Sequence, residues 1–131
     1  MRAGPSLRAD RRGNSTVELA FTLPLILTAI IGILQLSTMF FANAGLKQAV
    51  ESGARYATLY PSPSDSQIIA KVHASRYGLD SARITGPSIS HGTSNGVNYI
   101  DLSMSYAVPL NFVFFQAGSL TLSHSQRAYQ P

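Results

Sequence analysis

Hydrophobic residues follow two different patterns along this chain. From Leu19 to Leu46 the sequence has no Asp, Glu, Lys or Arg, and most of its residues are apolar. From Val97 to Val108 apolar and polar residues alternate instead. About 20 apolar residues are enough for a helix to cross the hydrocarbon core of a membrane, whereas strict alternation is typical of a strand with one buried face. The pattern therefore predicts a membrane helix followed by a small domain that contains a sheet.

The apolar run predicts a transmembrane span at about residues 19–42, inside a longer helix over residues 14–60. Pro24 and Gly32 are compatible with this span because membrane helices tolerate both residue types. Beyond the span, small residues recur about every four positions, which lets helices approach closely. This stripe either contacts other membrane-anchored helices or packs against the protein's own sheet, and we favour the second for its lower half. The stripe consists of Ala42, Gly45, Ala49, Gly53 and Ala57.

Basic residues are concentrated before the apolar run. The 131-residue chain has a formal net charge of +4, and residues 1–13 contain four arginines and one aspartate. By the positive-inside rule the N-terminus stays in the cytoplasm and the rest of the chain is exported. The remainder is almost neutral, which does not indicate a nucleic-acid-binding surface. The absence of cysteine excludes disulfides and cysteine-based zinc sites.

The start of the apolar run has three interpretations. It is a permanent anchor, a secretory signal peptide cut near the A-x-A sequence at residues 42–44, or a pilin-type leader that loses only residues 1–13. The second is disfavoured because the apolar part of a signal peptide is normally about 7–15 residues long. The third explains Glu18, because cleavage after Gly13 would make Asn14 the new N-terminus, one helical turn away. Alternatively, Glu18 has no such role, and its carboxylate is simply solvated at the level of the lipid headgroups.

Residues 61–131 predict a compact α+β domain. A Pro- and Ser-rich loop ends the long helix, and Asp65 or Ser66 is expected to cap the next one. Pro109 is expected to end the alternating strand, and the aromatic stretch from Leu110 to Gly118 is either a loop packed on the helix or a surface that rests on the membrane or a partner. The predicted elements are a helix over 67–78, strands over 82–90 (broken at Gly86-Pro87), 97–108 and 119–129, and a turn over 91–96.

Motifs of catalysis or metal binding are not found in the sequence. His73, His91 and His124 are scattered without metal-ligand spacing. No serine occupies a G-x-S-x-G frame, and no glycine-rich loop has the spacing that holds phosphate. We therefore expect no enzymatic activity, no cofactor and no metal, and consider a small secreted enzyme only as a third possibility after a structural subunit and a binding protein.

Residues 11–60 resemble the TadE-like family of pseudopilins from tight-adherence (Tad/Flp) pilus systems. The similarity is specific from Arg11 to Tyr60 and only a matter of pattern after that. The residues that carry it are Arg12-Gly13, Val17-Glu18 followed by Leu19-Ala20-Phe21, Leu23-Pro24-Leu25, Gly32-Ile33 and the segment AVESGARYA from Ala49 to Ala57.

The resemblance implies a pilin-like fold and a role in pilus assembly. It implies cleavage after Gly13 by a prepilin peptidase, an aspartyl protease of the inner membrane, and an assembly role for Glu18. The implied partners are other pilins and pseudopilins, the inner-membrane assembly machinery and membrane lipid, with a periplasmic domain over 61–131. The chain is longer than the major subunits of such pili, which favours a minor pseudopilin. The alternative is a permanently membrane-anchored periplasmic binding or sensor protein.

Overall fold

The structure is a computed structural model that describes the backbone of residues 11–112 and 115–131 and the side chains of residues 15–112 and 115–131. The strands form one antiparallel sheet in the order β1-β2-β3. This arrangement confirms the predicted α+β architecture of a long helix, a short helix and a small antiparallel sheet. The elements are α1 (Arg11–Ala57), α2 (Asp65–Ser75), a 3-10 turn (Ser81–Arg83), β1 (Ile84–Ser94), β2 (Val97–Asn111) and β3 (Gln116–Tyr129).

Helix α1 has two halves with different surroundings. Its 47 residues make it about 70 Å long at 1.5 Å per residue. Side chains from Ser15 to Ile30 are all exposed, whereas one stripe of the second half is buried by α2 and the sheet. In the described part of the chain, α1 is the one helix long and apolar enough to cross a membrane, and its most apolar window is entirely unburied.

The hydrophobic core lies where α1, α2 and the inner face of the sheet meet. A Cβ atom at Gly45 would collide with the carbonyl oxygen of Tyr77. One at Gly53 would collide with Val72 and lie 2.8 Å from Cδ2 of Leu102. The small-residue stripe therefore packs inside the protein, as expected for its lower half. The core residues are Ala42, Leu46, Ala49, Val50, Ala54, Ala57, Ile68, Val72, Ile100, Leu102, Met104, Tyr106, Val108 and Ala128.

Strand β2 shows the predicted alternation but is longer than predicted. Every second residue from Ile100 to Val108 is buried, and the residues between them are partly exposed. The prediction that Pro109 ends the strand is wrong, because Pro109 pairs with Ser119 and the strand continues to Asn111. Strand β1 pairs no further along β2 than Tyr106. One edge of β2 is therefore free at Pro109, where a residue without an N–H is tolerated.

The turns are tighter than the sequence indicated. The predicted turn over 91–96 is reduced to Asn95 and Gly96, whose φ angles are 52° and 79°, as in a two-residue type I′ hairpin. Residues 91–94 instead belong to β1. Gly86-Pro87 does not break this strand but coincides with a register shift in its pairing with β2, which is the usual effect of a β-bulge.

Helix α2 begins and ends earlier than predicted. Ser64 is the N-cap, and its backbone N–H donates to Oε1 of Gln67 at 2.9 Å, so neither Asp65 nor Ser66 has that role. The helix buries Ile68 and Val72 against α1. Tyr77 lies beyond its end, where its ring packs edge-on against Phe41 of α1 with centroids 5.7 Å apart.

Candidate functional site

The predicted site residues lie in the first two turns of α1. Gly13 and Asn14 have helical backbone, and the side chain of Asn14 lies outside the described residues. Glu18 follows one turn later, is exposed, and its main-chain carbonyl accepts a hydrogen bond of 2.8 Å from the Thr22 hydroxyl. Among the ion pairs formed by described side chains, none involves Glu18. The carboxylate is therefore accessible to a partner molecule.

The polar side chains of the apolar run have their hydrogen bonds satisfied. Four hydroxyls between residues 19 and 42 donate to main-chain carbonyls three or four positions earlier in α1, at 2.8–3.0 Å. These bonds matter because lipid offers no partner to a polar group, and an unpaired one costs several kcal/mol. These four side chains can thus enter a bilayer without unpaired hydroxyl donors. The four hydroxyls belong to Thr22, Thr28, Ser37 and Thr38.

Besides these four hydroxyl residues, Gln35 is the remaining polar residue between positions 19 and 42, and its hydrogen-bond partner lies outside the helix. Its side-chain amide donates to the main-chain carbonyl of Asn111 at the end of β2. At the far end of α1, Thr58 and Tyr129 line the same surface cleft, and Tyr129 pairs with Tyr99 near the start of β2. Strand β2 therefore runs antiparallel to α1, and the sheet lies alongside the helix from the level of Gln35 to that of Thr58.

Before Gln35, α1 presents a helix surface that is apolar on every side. Phe21 is 80% exposed and Leu25 is 71% exposed. A helix that is hydrophobic all round is stable when it is surrounded by lipid or by other apolar helices. The Glu18 carboxylate lies at the N-terminal boundary of this surface, so a helix that packed along its whole length would also come close to Glu18.

The structure brings together polar residues that the sequence left unconnected. Asp101 and Arg127 pair across β2 and β3 through two hydrogen bonds of 2.8 Å. These hydrogen bonds lower the pKa of the Asp101 carboxyl and raise the pKa of Arg127. Asp65 at the start of α2 lies 2.9 Å from His91 on β1. Both pairs join different elements, the first through the register of β2 and β3 and the second through the packing of α2 beside β1, so no local sequence pattern predicts them.

The three histidines do not come together. His91 contacts Asp65, His124 lies opposite Met104 in the sheet, and His73 is on α2 next to Arg76. Within residues 15–112 and 115–131 no group of three or more His, Cys, Asp and Glu side chains could hold a metal ion.

Residues 13–55 match a family model described as TadE-like protein. The helix carries a TadE-like segment. The match includes Gly13, Asn14 and Glu18, the whole apolar run and most of the small-residue stripe, which agrees with the resemblance found in the sequence. It suggests involvement in Tad pilus systems and association with pilus components, and the long apolar helix suggests a membrane anchor. No curated protein and no solved structure matches the chain.

Proposed function

We propose that the protein is a minor pseudopilin that is cleaved after Gly13 by a prepilin peptidase and takes part in assembling a Tad/Flp-type adhesive pilus. The observation that carries this proposal is the TadE-like segment over residues 13–55. That segment contains a helix surface that is apolar on every side, with the accessible carboxylate of Glu18 at its start. The proposed role of the protein is structural rather than catalytic.

Glu18 would act by pairing with a new N-terminus. Cleavage after Gly13 gives Asn14 a positively charged α-amino group, four residues before Glu18. A carboxylate near the membrane boundary is costly when it has no partner, so the amine of the same or a neighbouring subunit would stabilise it. Packing of the apolar helix surfaces brings neighbouring amines and carboxylates close together, so this pairing would favour assembly over a dispersed state in lipid.

The charge distribution and the exposed helix support the proposed location. The arginines that precede the span favour a cytoplasmic N-terminus, with the domain over 61–131 in the periplasm before assembly. The protein would be a single-pass inner-membrane protein at that stage. Its partners would be the peptidase, other pilins and pseudopilins, and the assembly machinery of the inner membrane.

A carboxylate substitution tests the assembly role of Glu18. We expect Glu18→Ala to insert into the membrane and to be cleaved, but to assemble poorly, with Glu18→Asp restoring part of the assembly. Glu51→Ala is the matched control, because Glu51 is on the same helix and forms a surface pair with Lys47 at 3.7 Å. The measurement is the amount of pilus sheared from cells whose membranes hold equal amounts of each variant. Normal piliation with Glu18→Ala would contradict the pairing role, and an uncleaved wild-type chain would favour the permanently anchored binding or sensor protein.

A further inference from the structure

The two edges of the sheet differ in how open they are to another strand. β1 contains Pro87 at the register shift in its pairing with β2, and α2 contacts it through the pair of Asp65 and His91. Bulges, prolines and a covering helix are the features with which proteins usually protect a sheet edge. β3 has 14 residues without proline or lysine, and it pairs with β2 without a register shift from Ser119 to Tyr129. The edge formed by β3 is therefore long, regular and unprotected.

The register of the sheet shows which backbone groups point out of this edge. The N–H of Gln130 donates to the carbonyl of Asn98 at 2.9 Å, and Tyr99 lies opposite Tyr129, so residues 98 and 130 form a hydrogen-bonded pair. In an antiparallel ladder such pairs alternate with pairs that exchange no hydrogen bond. Even-numbered residues of β3 therefore direct their N–H and C=O groups at β2, and the odd-numbered residues from 121 to 127 direct theirs outward. Within the described residues these outward groups have no hydrogen-bond partner.

A cleft lies beside this edge, between α1 and the last residues of β3. Its volume is about 470 Å³, and its walls include Ala54 and Thr58 on the helix side and Gln126 and Ala128 on the strand side. Leu122 and Ala128 pack into the core, so the even-numbered side chains of β3 face α1. Neighbouring strands lie about 4.8 Å apart, so a strand added to β3 would lie over the cleft. Every second side chain of that strand would enter it.

The membrane fixes the direction of the added strand. Because β2 runs antiparallel to α1 and to both of its neighbours in the sheet, β1 and β3 run parallel to α1 and point away from the membrane. In a second copy anchored in the same membrane both edge strands point the same way, so they would pair with β3 only in parallel. Antiparallel ladders are slightly more stable per residue and more common. We therefore expect a partner strand that runs toward the membrane and belongs to a different protein.

We propose that the outer edge of β3 binds an extended segment of another pilus subunit, which adds to the sheet as a fourth strand. The segment runs antiparallel to β3, with apolar side chains toward the α1 cleft and small polar side chains beside Thr121, Ser123 and Ser125. Strand β2 has this direction and this alternation, so the segment repeats on one side of β3 the pairing that β2 makes on the other. The inference rests on the proposed function only for the identity of the partner.

A synthetic peptide with the sequence of residues 99–108 is the probe, because it has the required alternation. It carries a fluorescent label and terminal lysines for solubility, and it is titrated with the full chain in micelles. Even-numbered residues of β2 bond to β3 and odd-numbered ones to β1, so a copy of β2 on the outer edge of β3 would bond through its odd-numbered residues. One control peptide is therefore N-methylated at residues 101, 103 and 105, and its matched counterpart at residues 100, 102 and 104.

We expect the fluorescence anisotropy of the unmodified peptide to rise on titration. Methylation at the odd-numbered residues should weaken binding by about tenfold or more, because three hydrogen bonds are lost, whereas methylation at the even-numbered residues should change it little. Absence of binding would overturn the proposal. An equal loss with both methylated peptides would overturn it too, because it would mean that the peptide replaces β2 instead of adding to β3.

A proline at the edge tests the same contact in cells. Ser123→Pro removes one outward N–H and no ladder hydrogen bond, which an edge strand tolerates, and Ser123→Ala is the matched control that keeps the N–H. We expect Ser123→Pro to be processed normally but to lower the amount of sheared pilus several-fold, with Ser123→Ala at the wild-type level. Equal piliation by two folded variants would overturn the proposal, and if Ser123→Pro does not fold, the peptides decide alone.

Two further outcomes separate the inference from its alternatives. A dimer of the full chain in micelles that Ser123→Pro dissociates would show that a second copy covers the edge, which overturns the proposal. A wild-type chain that is not cleaved after Gly13 would contradict the proposed function, whereas the peptide titration would still decide whether the edge of β3 accepts a strand.

Discussion

Leu46 tests whether α1 and the sheet form one folded unit. It lies on α1, four residues beyond the predicted end of the span, and is fully buried in the core that α1, α2 and the sheet share. Leu46→Ala removes three carbons, which at about 0.8 kcal/mol per buried methylene amounts to roughly 2.4 kcal/mol. The remaining cavity adds to this value, and buried Leu→Ala changes cost about 2–5 kcal/mol in total. We therefore expect a loss of about 3–4 kcal/mol.

The assay must follow the sheet, because the apolar half of α1 stays helical in detergent whether or not the domain is folded. Hydrogen exchange at the β2 amides of the full chain in micelles, followed during heating, meets this need. For a domain of 60–100 residues, each kcal/mol lowers Tm by about 4–8 °C, so Leu46→Ala should lower it by roughly 12–30 °C. Leu59→Ala is the matched control, since Leu59 is 52% exposed just after α1. Equal Tm values for the two variants would refute a core shared by the helix and the sheet.

Three further predictions concern the domain. Gly53→Leu should lower Tm, because it overpacks α1 against α2 at a cost of about 1–3 kcal/mol. Gly32→Leu is the control and should leave Tm unchanged, because a Cβ atom there would have no neighbour within 4 Å. Equal effects of the two variants on Tm would contradict internal packing of the stripe. Gly96→Ala should cost about 1–2 kcal/mol through its positive φ alone, and an unchanged midpoint in urea would show that the turn relaxes. The lowered pKa of Asp101 means that its pair with Arg127 stabilises the fold above about pH 4, the unfolded-state value, and that this contribution is lost as the pH falls through the lower folded-state pKa. Asp101→Asn should therefore unfold at lower Tm at neutral pH, with a difference from wild type that shrinks in acid, and a constant difference would contradict the pairing.

The fold could be predicted best where one physical effect dominated. The charge-free run from Leu19 predicted the long apolar helix, and the alternation from Ile100 to Val108 predicted the buried face of β2. Tertiary pairing decided the remaining boundaries. Pro109 stays in the strand because one edge of β2 is free there, and the predicted turn over 91–96 shrank to two residues because the hairpin pairs up to Ser94.

The candidate site was predictable only in part. Glu18 was identified from its isolated position before the apolar run, and its exposure agrees with a partner outside the chain. The contact between Gln35 and Asn111 joins residues 76 positions apart. No local pattern predicts it, because it depends on β2 running antiparallel to α1. For the same reason the sequence alone does not decide whether the aromatic stretch after Leu110 is a loop packed on the helix or a surface that contacts the membrane or a partner.

The N-terminus of the mature protein tests the proposed function most directly. It is measured by intact mass and N-terminal sequencing of the chain purified from cells with and without the prepilin peptidase. We expect a start at Asn14 that depends on the peptidase, and a bulky residue in place of Gly13 should abolish it. A start near Gly45 would make the apolar run a discarded export signal, and an intact Met1 in cells that contain the peptidase would contradict processing as a pseudopilin.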